Sequence, residues 1–138
     1  MGTFRKVLSY ETVSGGILYV CDDARSALKE SGLKEGLLCL FVKGSTGSLV
    51  FMEMDAELEP DLEEALERIA PSDAVYAHDR KWGDGNGHSH TRASILGGSI
   101  TIPFAEGELD LGRWQQVALI ENDVRDRHRE LIIQIVGE

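Results

Sequence analysis

Apolar and polar positions alternate along Phe4 to Val13, which predicts a strand with one buried face. Ser14-Gly15-Gly16 supplies a turn, and the β-rich run Ile17 to Cys21 predicts a second strand. The period then lengthens. Ala24, Ala27, Leu28 and Ser31 share one face of a helix starting near Ala24, with Asp22 or Asp23 as its cap and Gly32 at its end. Leu37 to Val42 is apolar without a break and predicts a buried strand. Leu49 to Met54 is a second such run, placed to pair with it across Gly44-Ser45-Thr46-Gly47. Leu62, Ala65, Leu66 and Ile69 return to helical spacing, with Pro60 at the first helical position, acidic residues near the start and Pro71 as the stop.

The second half repeats the mixture. Ser89 to Leu96 reads as helical, with Thr91 and Arg92 exposed, Ala93, Ile95 and Leu96 packing, and Gly97-Gly98 as the end. Strands follow at Ser99 to Phe104, Val117 to Ile120 and Leu131 to Val136, with a turn at Glu106-Gly107-Glu108 and a charged, solvated loop from Glu121 to Arg129. About three helices among many strands, without regular βαβ alternation, predict an α+β fold. Its sheet is large and mixed, mostly antiparallel, within one domain spanning residues 1–138.

Composition narrows the function. A chain of 138 residues with 42% hydrophobic and 28% charged residues is ordinary for a globular domain. The formal net charge of -10 argues against nucleic acid as a partner, because phosphate backbones require clustered Lys and Arg. No apolar stretch approaches the ~20 residues of a membrane span, and Met1 to Tyr10 has no signal-peptide core. Cys21 and Cys39 both follow apolar residues, so two buried thiols in a reducing cytoplasm are expected rather than a disulfide.

The chemistry concentrates between residues 78 and 90. Three of the chain's four histidines, His78, His88 and His90, fall there with Asp79, Asp84, Asn86 and glycines 83, 85 and 87. Imidazole is the commonest metal ligand and titrates near neutrality, and glycine lets backbone approach a ligand closely. His78, His88 and His90 could hold Zn²⁺ or a similar borderline ion with an open position, in a hydrolase or lyase. The His88-Ser89-His90 spacing serves one ion only if the segment is extended, because residues two apart point roughly 200° apart on a helix. Asp84-Gly85-Asn86-Gly87 is turn chemistry, or it feeds a helix N-terminus that attracts anions. Gly44-Ser45-Thr46-Gly47 could cradle a phosphate through Ser45 and Thr46, or form a simple hairpin loop; the P-loop spacing is absent. Trp82 and Trp114 could stack on a heterocycle or pack in a core or interface. His128 reads as solvated and Cys39 as inert, and no nucleophile elbow is present.

The second half also carries a resemblance. Tyr76-Ala77-His78-Asp79, Trp82-Gly83-Asp84-Gly85-Asn86-Gly87-His88-Ser89-His90, Arg92-Ala93-Ser94, Thr101-Ile102-Pro103, Trp114-Gln115-Gln116 and Gln134-Ile135-Val136-Gly137-Glu138 resemble the YjbQ family of secondary thiamine-phosphate synthase-like proteins. The resemblance implies a homotrimer with a polar site at a subunit boundary. That site would be built from His78, Asp84, Asn86, His88 and His90, with Glu53 as a further candidate. It also implies a weak synthase activity that joins an aminopyrimidine pyrophosphate to a thiazole phosphate. In that reaction Asp84 or Glu53 would hold Mg²⁺ on the pyrophosphate, Asn86, Gly85 and Gly87 would contact phosphate oxygens, and the histidines would neutralise the leaving group. Many family members carry His-Thr-Thr or His-Thr-Ser where this chain has Gly44-Ser45-Thr46, so a role for that fourth histidine does not transfer. The remaining alternative is a non-enzymatic trimer whose histidines fix an interface.

Overall fold

The computed structural model describes residues 1–138. The chain runs β1 (Gly2–Thr12), β2 (Ile17–Tyr19), α1 (Cys21–Ser31), β3 (Gly36–Val42), β4 (Gly47–Met52), α2 (Leu58–Ile69), α3 (Ala77–Trp82), α4 (Gly87–Leu96), β5 (Ser99–Ala105), β6 (Glu108–Leu109), β7 (Gln116–Glu121) and β8 (Arg127–Gly137). The α+β class read from the sequence holds, with antiparallel pairing throughout. The strands divide between a five-stranded sheet, ordered β1-β8-β3-β5-β6, and a three-stranded sheet, ordered β2-β7-β4. No helix is long and apolar enough to cross a membrane.

Alternation in β1, half-buried against exposed, sets one face of the larger sheet inward. Leu38, Leu40 and Val42 of β3, Ile102 and Phe104 of β5, and Leu131, Ile133 and Ile135 of β8 fill that face. Leu49, Val117 and Leu119 of the smaller sheet and Cys21, Ala24, Ala27 and Leu28 of α1 complete the same core. Seventeen buried residues in one cluster are a sufficient hydrophobic reason for the two sheets and α1 to hold together.

Several local expectations change. β3 and β4 do not pair: β3 lies between β8 and β5, and β4 pairs with β7. The four residues between them carry the chain from one sheet to the other instead of closing a tight hairpin. β3 is buried on one face only, since Leu37 and Phe41 are 49% and 47% exposed and no helix covers them. α1 begins at Cys21, so Asp22 and Asp23 lie in its first turn rather than at its cap, while Gly32 closes it in the left-handed conformation as expected (φ 71°). Pro60 is the third residue of α2, still within the turn whose N–H groups have no helical partner. Ile69 and Ile95 are exposed and Arg92 is buried, the reverse of the pattern expected. A fourth helix, α3, forms inside the segment read as a loop.

Three element ends meet outside the core. Gly47, which opens β4, pairs with Glu121, which ends β7, and Asn122 N–H continues that ladder to Thr46 O at 2.9 Å. The start of α4 faces this junction through Asn86, whose Nδ2 donates to Asp123.

Candidate metal and anion site

α3 and α4 form an elbow whose shape follows from its glycines. Gly83 closes α3 with φ 66° and donates its N–H to Asp79 O at 2.7 Å. Gly85 reverses the chain at φ 65°. Asp84 Oδ1 accepts Asn86 N–H (3.1 Å), and Asp79 Oδ1 accepts Gly87 N–H (2.8 Å), so both carboxylates are aimed by backbone donors at the start of α4. Gly87 itself is pressed against α3: a Cβ there would lie 2.5 Å from Tyr76 Cβ and 3.0 Å from Asp79 Oδ1.

This packing gathers His78, Asp79 and Asp84, whose ligand atoms all lie within 4.8 Å of one another. His78 Nδ1 is 3.4 Å from Asp84 Oδ1, yet it is buried with no hydrogen-bond partner. The His90 ring, one turn into α4, has its centroid 4.5 Å from that of His78. An orphaned imidazole nitrogen beside two oriented carboxylates is an arrangement that a divalent cation would complete.

The opposite wall comes from the turn between β7 and β8. Asp123 accepts Thr46 Oγ1–H (2.8 Å), Asn86 Nδ2–H (3.1 Å) and Arg125 N–H (2.9 Å), with Arg127 Nε 3.4 Å away. Burial alone would raise its pKa, but these donors and the Arg127 charge outweigh it and hold the carboxyl below its ordinary value. Behind it, Arg129 and Glu121 form a buried two-point ion pair, Nε to Oε1 at 2.7 Å and Nη2 to Oε2 at 2.6 Å. Arg129 Nη2 also donates to Thr46 Oγ1 (2.6 Å), and Glu121 accepts from Thr12 Oγ1 (2.7 Å). A Cβ on Gly44 would lie 2.3 Å from Arg129 Nη1. In this chain, therefore, the Arg129 guanidinium occupies the space beside Gly44.

Asp84, Asn86, His90, Arg125 and Arg127 line a small polar cleft of about 190 Å³, with Thr46 and Asp123 at its base. The structure thus brings together His78, Asp84, Asn86 and His90. It does not bring His88 to them: His88 leaves the other side of α4, is buried, and lines a separate, larger cavity. The cause is the helical register, which begins at Gly87 and turns residues two apart away from each other. Burial and then the Arg92 charge lower the His88 pKa from its ordinary value.

Several groups expected to cradle a phosphate already have partners within the chain. The Thr46 hydroxyl donates to Asp123 and accepts from Arg129, and the Asn86 and Gly87 N–H groups are held by Asp84 and Asp79. Gly85 serves the chain reversal, and Ser45 is exposed outside the cleft. Glu53 is exposed beyond the far end of β4, roughly 20 Å from Thr46 at strand spacing. Trp82 and Trp114 are both exposed, at 64% and 67%, so neither packs in the core. Gln116 satisfies a backbone group, accepting Cys21 N–H. His128 is solvated beside Glu11 as expected, and Cys21 and Cys39 are free thiols.

Sequence reasoning placed Asp79 in the segment without giving it a role, missed Asp123, Arg125 and Arg127, and took the Glu121 to Arg129 segment for a charged loop. A period of two was the available signal. Glu121 and Asp123 repeat at strand spacing, and Arg127 and Arg129 answer them at the same spacing with opposite charge.

Known proteins place this architecture. The family model described as UPF0047 protein YjbQ-like matches residues 6–138. A UPF0047 protein of Methanothermobacter thermautotrophicus is 38% identical over 111 residues, covering 80% of this chain and 76% of that protein. UPF0047 protein YjbQ of Salmonella typhimurium is 30% identical, covering 98% and 99%. The crystal structure of a YbjQ-like protein of unknown function from Sulfolobus solfataricus superposes with a TM-score of 0.94 at 26% identity, over 99% of both chains. A YjbQ/UPF0047 family structure from Clostridium acetobutylicum gives 0.86 at 27% identity, over 95% of this chain and 99% of that one. Sequence and backbone agree from end to end, and the chain belongs to the YjbQ-like UPF0047 family.

Proposed function

We propose that this protein is a small-molecule enzyme in which His78, Asp79, Asp84 and His90 hold a divalent metal, and Arg125 and Arg127 receive the negative charge of a phosphorylated substrate. The observation that carries this reading is the buried His78 Nδ1, which has no hydrogen-bond partner while facing Asp84 at 3.4 Å. Imidazole among carboxylates suits Zn²⁺ or Mn²⁺ better than Mg²⁺. Such an ion, when bound, supplies Lewis-acid stabilisation of charge developing on a phosphoryl oxygen. Asn86 and Asp123 act as positioning residues, since each is occupied in holding the two walls together. The Arg125 side chain lines the cleft without an ion-pair partner and is free to clamp an anion.

Joining an aminopyrimidine pyrophosphate to a thiazole phosphate is the specific reaction favoured within this reading. It releases pyrophosphate, whose charge Arg125 and Arg127 would neutralise. The test is metal content by mass spectrometry on tag-free protein. Wild type and His88→Ala should carry near-stoichiometric Zn, Mn, Co or Fe, and Asp84→Asn and His78→Ala should lose it. Metal-free wild-type protein after reloading overturns the metal site. No thiamine phosphate formed by metal-loaded protein overturns the synthase assignment and leaves hydrolytic or lyase chemistry at the same residues.

Self-association belongs to the same proposal, as a homotrimer. Val7, Ile132 and Phe41 lie opposite one another across three adjacent strands, beside Leu37, Val136 and Pro103, on the uncovered face of the larger sheet. Exposed apolar faces of this kind mark interfaces. Light scattering should give three chains for the wild type and fewer for Phe41→Glu; a monomeric wild type overturns the assembly.

A further inference from the structure

The larger cavity, about 560 Å³, lies between α2, α4, the Ser14–Gly16 turn and the end of β7. It shares only the Asp123-Val124 segment with the polar cleft. Its volume is that of a small-molecule pocket. Ile17, Leu62, Leu66 and Ile120 give it an apolar wall, on which water would find few partners. His88 lines it, is only 9% exposed, and its imidazole makes no hydrogen bond within the chain. An imidazole on a largely buried side chain, with its ring nitrogens free to meet a guest in the cavity, is a polar handle.

The charges around it specify the partner's sign. Glu121 and Asp123 are neutralised from behind by Arg129 and Arg127. That leaves Glu59, Glu63 and Glu67 facing a single guanidinium, Arg92. Arg92 already gives three of its five N–H donors to Glu63 (3.0 Å), Glu67 (2.7 Å) and Ala70 O (3.0 Å), and those two carboxylates balance its charge. Burial and Glu59 push the neighbouring Tyr19 phenol up to about 12, in keeping with a negative local potential.

We propose that this cavity is a second binding site, for a small organic cation: an apolar or aromatic body carrying a protonated amine that donates to His88 and is balanced by Glu59 and Glu63. The body packs against Leu62, Leu66 and Ile120.

The probe is benzylamine, with benzyl alcohol and benzoate as neutral and anionic counterparts of the same body, titrated into the full chain and followed by amide NMR. Benzylamine should shift the amides of Leu62, Leu66 and Ile120, and benzoate should not. His88→Ala should weaken benzylamine by roughly tenfold, as the loss of one buried hydrogen bond does. Leu62→Trp, which fills the cavity, should abolish binding, and Glu59→Gln serves where His88→Ala fails to fold. Equal or tighter binding of benzoate, no binding of any probe, or binding indifferent to Leu62→Trp overturns the proposal. Mn²⁺ titration of the same samples reads the His78 and Asp84 site separately, so failure at one cavity is distinguishable from failure at the other.

Discussion

Gly87 shows how one missing methyl group organises the site. Elsewhere in a helix, alanine in place of glycine helps by about 1 kcal/mol. Here the added Cβ would meet Tyr76 Cβ at 2.5 Å and press on the carboxylate that holds the first turn of α4. Overpacking of that kind costs about 1–3 kcal/mol, so crowding outweighs propensity. Gly87→Ala should lower stability in urea titration and loosen metal binding as Asp79 is displaced. Arg129 and Glu121 argue the same point with charge. Both are almost wholly buried, at 4% and 1% exposed. Glu121→Gln should therefore cost about 3–5 kcal/mol by stranding a buried guanidinium. The pair Glu121→Leu with Arg129→Met should recover part of that, as a double-mutant cycle on unfolding free energies will register.

At the scale of elements, α4 is a partition, with His90 presented to one cavity and His88 to the other. Most of the strands and three of the four helices were legible in the sequence, because their periods and their glycine and proline stops are local signals. The division into two sheets was not, because a continuous apolar run such as Leu37 to Val42 says nothing about which strand lies beside it. Of the site, the His78 to His90 segment was legible from its residue types. The burial of Glu121, Asp123 and Arg129 was not, because it depends on two strand ends meeting a third element far away in the chain. α2 is held to α4 largely by Arg92, which ties Glu63 and Glu67. Donors from Ser72 and then Arg92 lower the Glu67 pKa from 4.5 to about 2. A carboxylate depressed in the folded state stabilises above its unfolded pKa, and that contribution is lost as pH falls through the folded value. The clamp should therefore hold at pH 5 and fail between about pH 4 and pH 2. Amide exchange in α2 should accelerate over that window, and Glu67→Gln should make it fast already at neutral pH.

Across the whole molecule, a formal charge of -10 coexists with a polar cleft in which Arg125 and Arg127 stand beside Asp84 and Asp123, and Arg125 carries its charge without an ion-pair partner. An acidic surface with one unpaired arginine in a cleft repels most anions at long range and admits small ones at short range, within the roughly 8 Å over which physiological salt leaves charges unscreened. The ladder between β1 and β8 has a different kind of consequence. β1 has one strand neighbour, β8, and the register runs from Gly2 opposite Gly137 to Thr12 opposite Arg127. β1 thus waits for β8, seven strands further along the chain. Its eleven residues travel through synthesis without that partner, and the sheet closes only once β8 has been made. The same ladder sets Gly2 beside Gly137. A short peptide joining them, with new ends opened at the Glu106-Gly107 turn, would convert the most distant pairing in the sequence into a hairpin and let the sheet begin to form from its former ends.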